Sequence, residues 1–226
     1  MNNCAAAVIL AAGSSSRMGG IKKEFQLLKN NLTVLGSAVS AFFAAASVKI
    51  IVIVVPKDAE AAARSALAPE LFSSDKKIIF VIGGETRRAS VYNALCALAP
   101  FNPCYVLIHD GARPWVSVPL IENIIGAVKK HGAVIPLLPV TDTPKEIDGG
   151  AEGFIISHLK RANVGFAQTP QAFKYPEILQ AHEKAANKTD EEFTDDAEIW
   201  GRFIGQVAVI PGEQDNKKIT FPEDLN

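Results

Sequence analysis

The chain has 226 residues, 48% of them hydrophobic, enough apolar material for one large core or for one domain carrying a small excursion, which excludes a disordered chain. With 23 Lys+Arg against 24 Asp+Glu the formal charge is −1, so no global basic field draws the protein onto a nucleic-acid backbone or an anionic membrane. Three scattered cysteines, Cys4, Cys96 and Cys104, form neither a disulfide framework nor a zinc pattern and suit a reducing cytoplasm.

The apolar stretch Cys4 to Ala12 follows Met1-Asn2-Asn3 without the basic region of a signal peptide and reads as a buried first strand, with its run at Ala5 to Leu10. Directly behind it come Ala11-Ala12-Gly13-Ser14-Ser15-Ser16-Arg17-Met18-Gly19-Gly20, then Lys22 and Lys23. In a parallel sheet ligands sit beyond the carboxyl ends of strands, and a small-residue loop there can cradle phosphate oxygens on its backbone N–H groups. Arg17 and Lys23 would add positive charge; an ordinary turn with solvated cations has the same composition. The loop carries neither the P-loop ending in Gly-Lys-Ser/Thr nor the Gly-x-Gly-x-x-Gly of dinucleotide binders, which counts against P-loop hydrolysis and hydride transfer.

Further along, continuous apolar runs at Ile50–Val55, Ile78–Ile82, Tyr105–His109, Ala133–Leu138 and Val207–Ile210 read as strands buried on both faces. The run Ala41 to Pro56 is interrupted by Lys49 and too short to span a membrane. Helix-length segments, Thr33–Ala46, Lys57–Ala68, Arg88–Ala99 and Pro119–His131, alternate with the strands. That alternation predicts an α/β fold with a doubly wound, mostly parallel twisted sheet. Between about residues 140 and 165 the rhythm breaks around Pro144, Gly149, Gly150 and Gly153, which predicts a protruding β-arm, either a dimer contact or a flexible flap.

Two more strand ends carry candidate chemistry. Gly83-Gly84-Glu85-Thr86-Arg87-Arg88-Ala89-Ser90 opens a helix, and its glycines allow a base or ribose close to the backbone. His109-Asp110-Gly111-Ala112-Arg113-Pro114 offers Asp110 as a hard oxygen ligand for magnesium or an acceptor for a ribose hydroxyl, with Arg113 able to pair with it or with a phosphate. His109 ends the apolar run without a nucleophile motif and reads as a packing residue. In and near the arm, Thr143, Lys145 and Arg161 could receive a phosphate monoester, or be a solvated hairpin face. Thr194-Asp195-Asp196-Ala197 suits a helix cap, and Asn216-Lys217-Lys218-Ile219-Thr220 a polar strand edge.

Taken in order, these segments resemble the 2-C-methyl-D-erythritol 4-phosphate cytidylyltransferase family, within the sugar-phosphate nucleotidyltransferases. The likeness runs from Val8 to Leu225 through Leu10-Ala-Ala-Gly13 with Arg17-Met18-Gly19, Gly83-Gly84 with Arg87 and Ser90, His109-Asp110 with Arg113-Pro114, Asp142-Thr143 with Lys145, Gln168-Thr-Pro-Gln171, Thr194-Asp-Asp196 and Asn216 with Lys218. The resemblance implies a single nucleotidyltransferase domain over 1–226, whose reaction passes CMP from CTP to 2-C-methyl-D-erythritol 4-phosphate with release of pyrophosphate. It implies Mg2+ or another divalent cation held at Asp110, a homodimer, and no nucleic-acid or membrane partner.

By the same resemblance, Arg17, Lys23, Arg161 and Lys218 are catalytic. Ala11, Ala12, Gly13, Ser14, Gly84, Glu85, Ser90, Asp110 and Gly111 bind the nucleotide; Arg113, Thr143, Lys145 and Arg161 bind the acceptor. The loop before Phe25 is a residue short of the family pattern, which puts Lys22 at the usual proline, Lys23 at the lysine and Glu24 at the glutamine, and leaves Lys22 competing with Lys23. The alternatives are a cytidylyltransferase for a pentitol phosphate such as ribitol 5-phosphate, or a non-catalytic nucleotide sensor, which would be expected to have lost Arg17 or Lys218.

Overall fold

In the computed structural model, which describes residues 4–13, 18, 22–149, 152–186 and 192–225, the apolar runs become the centre of one mixed sheet. The strands are β1 (Ala5–Leu10), β2 (Val48–Val55), β3 (Lys77–Ile82), β4 (Tyr105–Asp110), β5 (Ala133–Pro139), β6 (Lys145–Ile147), β7 (Ile155–His158), β8 (Gly165–Ala167), β9 (Gln171–Lys174) and β10 (Ala208–Pro211). The helices are α1 (Val34–Ala44), α2 (Glu60–Ser65), α3 (Arg87–Leu98), α4 (Val118–His131), α5 (Tyr175–Ala186) and α6 (Asp196–Phe203).

Across the sheet the order is β10-β5-β9-β4-β1-β2-β3, with β8 also paired to β5. The pairs β1–β2, β2–β3, β1–β4 and β5–β10 are parallel, whereas β9 runs antiparallel between β4 and β5. The expected mostly parallel, doubly wound sheet is therefore present, with an antiparallel insertion that the apolar runs did not signal.

Burial on both faces explains why the central strands β1, β2, β4 and β5 read as unbroken apolar runs, whereas β3 and β10, expected to be buried as well, lie at the two edges of the sheet and are partly exposed. In β2, Ile51, Ile53 and Val55 face a layer built from α1 and α4 with Leu35, Val39, Phe42, Ile121 and Ile124. Ile50, Val52 and Val54 face the opposite layer, where α3, α5 and α6 contribute Leu95, Ile178 and Trp200. Each fully buried side chain of this size contributes roughly 1.5–3 kcal/mol of transfer free energy.

Side-chain caps fix where the helices begin. Thr33, Thr86, Ser117 and Asp195 accept hydrogen bonds from the backbone N–H groups of Gly36, Ala89, Leu120 and Glu198, each satisfying a donor that the first turn leaves without a partner. The cap expected at Thr194–Ala197 is thus Asp195. Helix α4 ends at Gly132, whose φ of +83° suits a glycine. The helix expected over Lys57–Ala68 is only the short α2, and α5 and α6 follow β9 in the stretch that periodicity left blank. The segment carrying Lys218 is not a strand edge; it lies along the site as an irregular chain.

The arm is the hairpin β6–β7, with Lys145 opposite His158 and Glu146 opposite Ser157. It exposes Phe154 (80%), Ile155 (53%) and Ile156 (59%), apolar surface unlike the polar stretches expected there. Among the described residues no helix is long and apolar enough to cross a membrane. The three cysteines are free.

Candidate active site

Strand order changes direction between β1 and β4, since β2 and β3 extend the sheet on one side and β4 begins the other. A crevice opens at such a point, beyond the carboxyl ends of the strands. Here Leu10 pairs with Asp110 at the last register position, and the Gly111 N–H donates to the Leu10 carbonyl at 2.9 Å. A Cβ on Gly111 would lie 2.8 Å from that same carbonyl, so the two strand ends approach more closely than a side chain would allow.

The wall opposite is the turn from β3 into α3. A Cβ on Gly83 would meet the Ala12 Cβ at 2.5 Å, and one on Gly84 would meet the Ala89 Cβ at 2.5 Å. The Gly84 N–H donates to Ser90 Oγ at 3.1 Å, tying the turn to the first turn of α3. Between these walls lies a cleft of about 440 Å³, lined by Ala12, Gly13, Met18, Lys23, Glu24, Gly84, Glu85, Thr86, Arg87, Ser90, Asp110, Lys218 and Thr220, among others.

Charge is concentrated at its floor. Lys218 Nζ lies 2.9 Å from Asp110 Oδ2, Arg113 Nε 3.5 Å from the same oxygen, and Arg87 Nε 4.0 Å from Oδ1. Burial opposes ionisation of Asp110, but Lys218, Arg87 and Arg113 together outweigh it and hold the carboxyl well below the usual range. The site therefore carries a fixed anion surrounded by three cations, an arrangement that suits a phosphate chain entering with its own counter-charge.

A buried network sets the backbone under that carboxylate. Thr169 Oγ1 accepts the Asp110 N–H at 3.1 Å and lies 3.0 Å from His109 Nδ1; His109 Nε2 lies 3.1 Å from the Arg113 carbonyl. Since a carbonyl only accepts, Nε2 carries the proton and Nδ1 accepts from the threonine. Burial lowers the His109 pKa to about 4, which keeps the ring neutral, and it packs on Phe42 at 5.0 Å between centroids. His109 is a packing residue, as its place at the end of the apolar run suggested.

Lys218 is delivered by neighbours pinned on both sides. The Asn216 carbonyl accepts from Arg113 Nη1 at 2.8 Å and Gln168 Nε2 at 3.2 Å, while Asn216 Nδ2 donates to the Thr169 carbonyl at 2.8 Å. Beyond it, the Ile219 N–H donates to the Ala112 carbonyl at 2.8 Å. The lysine side chain itself is 39% exposed and faces the cleft.

Of the residues singled out in the sequence, Ala12, Gly13, Lys23, Gly84, Glu85, Ser90, Asp110 and Lys218 meet around the cleft. Ser14 and Arg17 lie outside the described residues. Ala11 is buried behind the cleft, and Gly111 joins the strand ends without lining it. Arg113 supports Asp110 and Asn216 from inside the fold, with only 12% of its side chain exposed.

Lys22 Nζ donates to the Gly13 carbonyl at 2.9 Å, whereas Lys23 lines the cleft. Thr143, Lys145 and Arg161 line no part of the cleft in their own chain. They are exposed on and beside the arm, where Arg161 Nη1 donates to the Thr141 carbonyl at 2.7 Å and Lys145 Nζ donates to His158 Nδ1 at 2.9 Å.

Sequence reasoning gave no role to Arg87, Glu24, Thr169 or Asn216. Arg87 was visible as the cation three residues beyond Gly84, but its partners Asp110 and Asp196 come from distant segments. Among the described residues no group of three or more His, Cys, Asp or Glu side chains could hold a metal, and the carboxylates lining the cleft are Glu24, Glu85 and Asp110.

Comparison with known proteins adds to this geometry. Residues 5–226 match the family model described as 2-C-methyl-D-erythritol 4-phosphate cytidylyltransferase. The structure is similar to a 4-diphosphocytidyl-2C-methyl-D-erythritol synthase from Anaerococcus prevotii, with 32% identity, a TM-score of 0.84, and 99% of this chain and 93% of that one covered. It is also similar to a 2-C-methyl-D-erythritol 4-phosphate cytidylyltransferase from Thermus thermophilus, with 32% identity, a TM-score of 0.74, and 97% and 94% covered.

In sequence it is 50% identical over 145 residues to a bifunctional enzyme IspD/IspF of a Bradyrhizobium species, covering 63% of this chain and 36% of that protein. The chain thus spans about a third of the length of the curated relatives it matches.

Proposed function

The chain belongs to the 2-C-methyl-D-erythritol 4-phosphate cytidylyltransferase family, and on that premise we propose that it transfers CMP from CTP to 2-C-methyl-D-erythritol 4-phosphate. The products are 4-diphosphocytidyl-2-C-methyl-D-erythritol and pyrophosphate, a step of non-mevalonate isoprenoid biosynthesis in the cytoplasm. The observation that carries this reading is the Asp110 carboxylate with Lys218, Arg113 and Arg87 at the floor of a cleft walled by Gly83-Gly84.

An oxygen of the acceptor phosphate attacks the α-phosphorus of CTP as the bond to pyrophosphate breaks, and no covalent enzyme intermediate forms. Catalysis then rests on positioning and charge neutralisation. Gly84, Glu85 and Ser90 meet the cytosine, while Ala11, Ala12, Gly13 and Ser14 form the nucleotide loop. Gly111 and Asp110 lie by the ribose. Lys23 and Arg17 neutralise charge growing on the α-phosphate, and Lys218 exchanges Asp110 for the attacking phosphate.

Asp110 fits a magnesium ion that arrives with the triphosphate, because magnesium is commonly held by one or two carboxylates plus substrate phosphates and water. When bound there, it neutralises phosphate charge.

Arg113 bears on the acceptor from the floor. Thr143, Lys145 and Arg161 hold the acceptor phosphate from the arm of a second subunit in a homodimer, which accounts for their distance from the cleft of their own chain and for the exposed Phe154, Ile155 and Ile156.

The test is pyrophosphate release by the purified protein with CTP and magnesium, offering 2-C-methyl-D-erythritol 4-phosphate and ribitol 5-phosphate in parallel, with ATP, GTP and UTP as controls. Release with CTP and the first acceptor is expected. Release with ribitol 5-phosphate alone would keep the nucleotide chemistry and overturn the acceptor.

A further inference from the structure

Resting on that reading, we propose that Arg87, clamped by Asp196, is a positioning residue that fixes the Asp110 carboxylate from the inner side of the cleft. The two oxygens of Asp110 are engaged differently. Oδ2 faces Lys218 at 2.9 Å and Arg113 at 3.5 Å, and Oδ1 faces Arg87 at 4.0 Å. When Lys218 turns to a phosphate, Oδ2 keeps only the longer Arg113 contact and the carboxylate loses its nearest cation. The orientation of Asp110 then depends on the cations that stay.

Arg87 is built to stay. It is the first residue of α3, directly after the Thr86 cap, and its Nη2 lies 2.8 Å from Asp196 Oδ2. Asp196 is fully buried at the start of α6, and His182 of α5 stands behind it with Nε2 3.2 Å from Oδ1. Three helices of the same layer therefore meet at Asp196, which α3 engages through Arg87 and α5 through His182. Buried ion pairs add little net stability, because desolvating both charges offsets most of their attraction. What this pair supplies is a cation of fixed position on the Oδ1 side of a carboxylate whose Oδ2 faces Lys218 and Arg113. Arg88, the next residue on α3, lines no part of the cleft.

The experiment measures binding of Mn2+ and CTP together by calorimetry, without acceptor, alongside kcat and KM. The variants are Arg87→Gln, Arg87→Lys, Asp196→Asn and the double variant Arg87→Gln/Asp196→Asn, with Arg88→Gln as control. Partners that orient a metal-facing ligand typically affect affinity or activity by about 10–100-fold. Arg87→Gln is expected to weaken Mn2+–CTP binding by that order, Arg87→Lys to recover part of it, and Arg88→Gln to change nothing.

Because Asp196 acts through Arg87, the double variant should bind no more weakly than Arg87→Gln alone. A role confined to folding would lower the melting temperature and leave the affinity of the folded protein unchanged. Undiminished binding in folded Arg87→Gln, or additive losses in the double variant, overturns the proposal. If Arg87→Gln does not fold, Asp196→Asn, which keeps the arginine and the buried volume, carries the same test, and undiminished binding there overturns it. If the unmutated protein binds no CTP, the nucleotide reading itself fails; if it binds and the variants match it, only the positioning role falls.

Discussion

Replacing Thr169 by valine tests the network beneath Asp110 with little change of shape. Thr169 is 5% exposed, and its hydroxyl both accepts the Asp110 N–H and donates to His109 Nδ1, at 3.1 and 3.0 Å. Valine keeps the volume and removes both bonds, leaving a buried N–H and a buried ring nitrogen without partners. Each costs about 1–3 kcal/mol, hence roughly 2–6 kcal/mol together. Burying a methyl in place of the hydroxyl returns about 1 kcal/mol, so a net loss near 3 kcal/mol is expected.

For a chain of this size each kcal/mol moves Tm by about 2–4 °C, which gives a fall of roughly 6–12 °C. Thermal unfolding followed by circular dichroism, with urea midpoints at unchanged slope, measures it. Thr169→Ser, which retains the hydroxyl, should stay much closer to the unmutated protein. A Thr169→Val melting temperature within about 2 °C of the unmutated protein would refute the reasoning, since it would mean that neither bond supports the fold.

Three further outcomes follow from the site, the buried imidazole and the arm. Lys23→Ala should lose about 10²–10³-fold in kcat, the scale for removing one donor aimed at developing charge, whereas Lys22→Ala, whose ammonium holds the Gly13 carbonyl, should mainly raise KM for CTP; steady-state kinetics showing the reverse would exchange the two lysines. His109 is lowered from 6.5 to about 4, so the unfolded chain binds its proton first as pH falls: stability from this group is complete above about pH 6.5 and is lost towards pH 4, by on the order of 3 kcal/mol.

Urea unfolding at pH 7, 5.5 and 4.5 should show that slope in the unmutated protein and a flatter one in His109→Gln, and equal slopes would remove the assignment. Asp110 and Asp196, both lowered, lose their contributions only below about pH 3.8, outside this window. Finally, Phe154→Asp, at an 80% exposed position of the arm, should shift the sedimenting species from dimer to monomer and weaken acceptor binding while CTP affinity persists; a dimer that survives would move the contact elsewhere.

Local patterns in the sequence determined a good deal. Unbroken apolar runs identified β1, β2, β4 and β5 because burial on both faces leaves no room for alternation, as Ile50 through Val55 show, and they also marked β3 and β10, which lie partly exposed at the sheet edges. Small residues after β1, paired glycines after β3 and Asp110 after β4 marked three strand ends as ligand-bearing, and those ends do meet at one cleft. The antiparallel β8 and β9 were not legible, being too short to carry a period, and neither were α5 and α6.

Only the tertiary structure decided the pairings that give the cleft its character: Arg87 with Asp196, Lys218 with Asp110, Thr169 between Asp110 and His109, and Asn216 beneath Lys218. It also separated Lys22 from Lys23 and set Thr143, Lys145 and Arg161 apart on the arm. The physical reason is range. Periodicity and turn chemistry act over a few residues, whereas an ion pair between the start of α3 and the start of α6 exists only once both helices have packed onto the same face of the sheet.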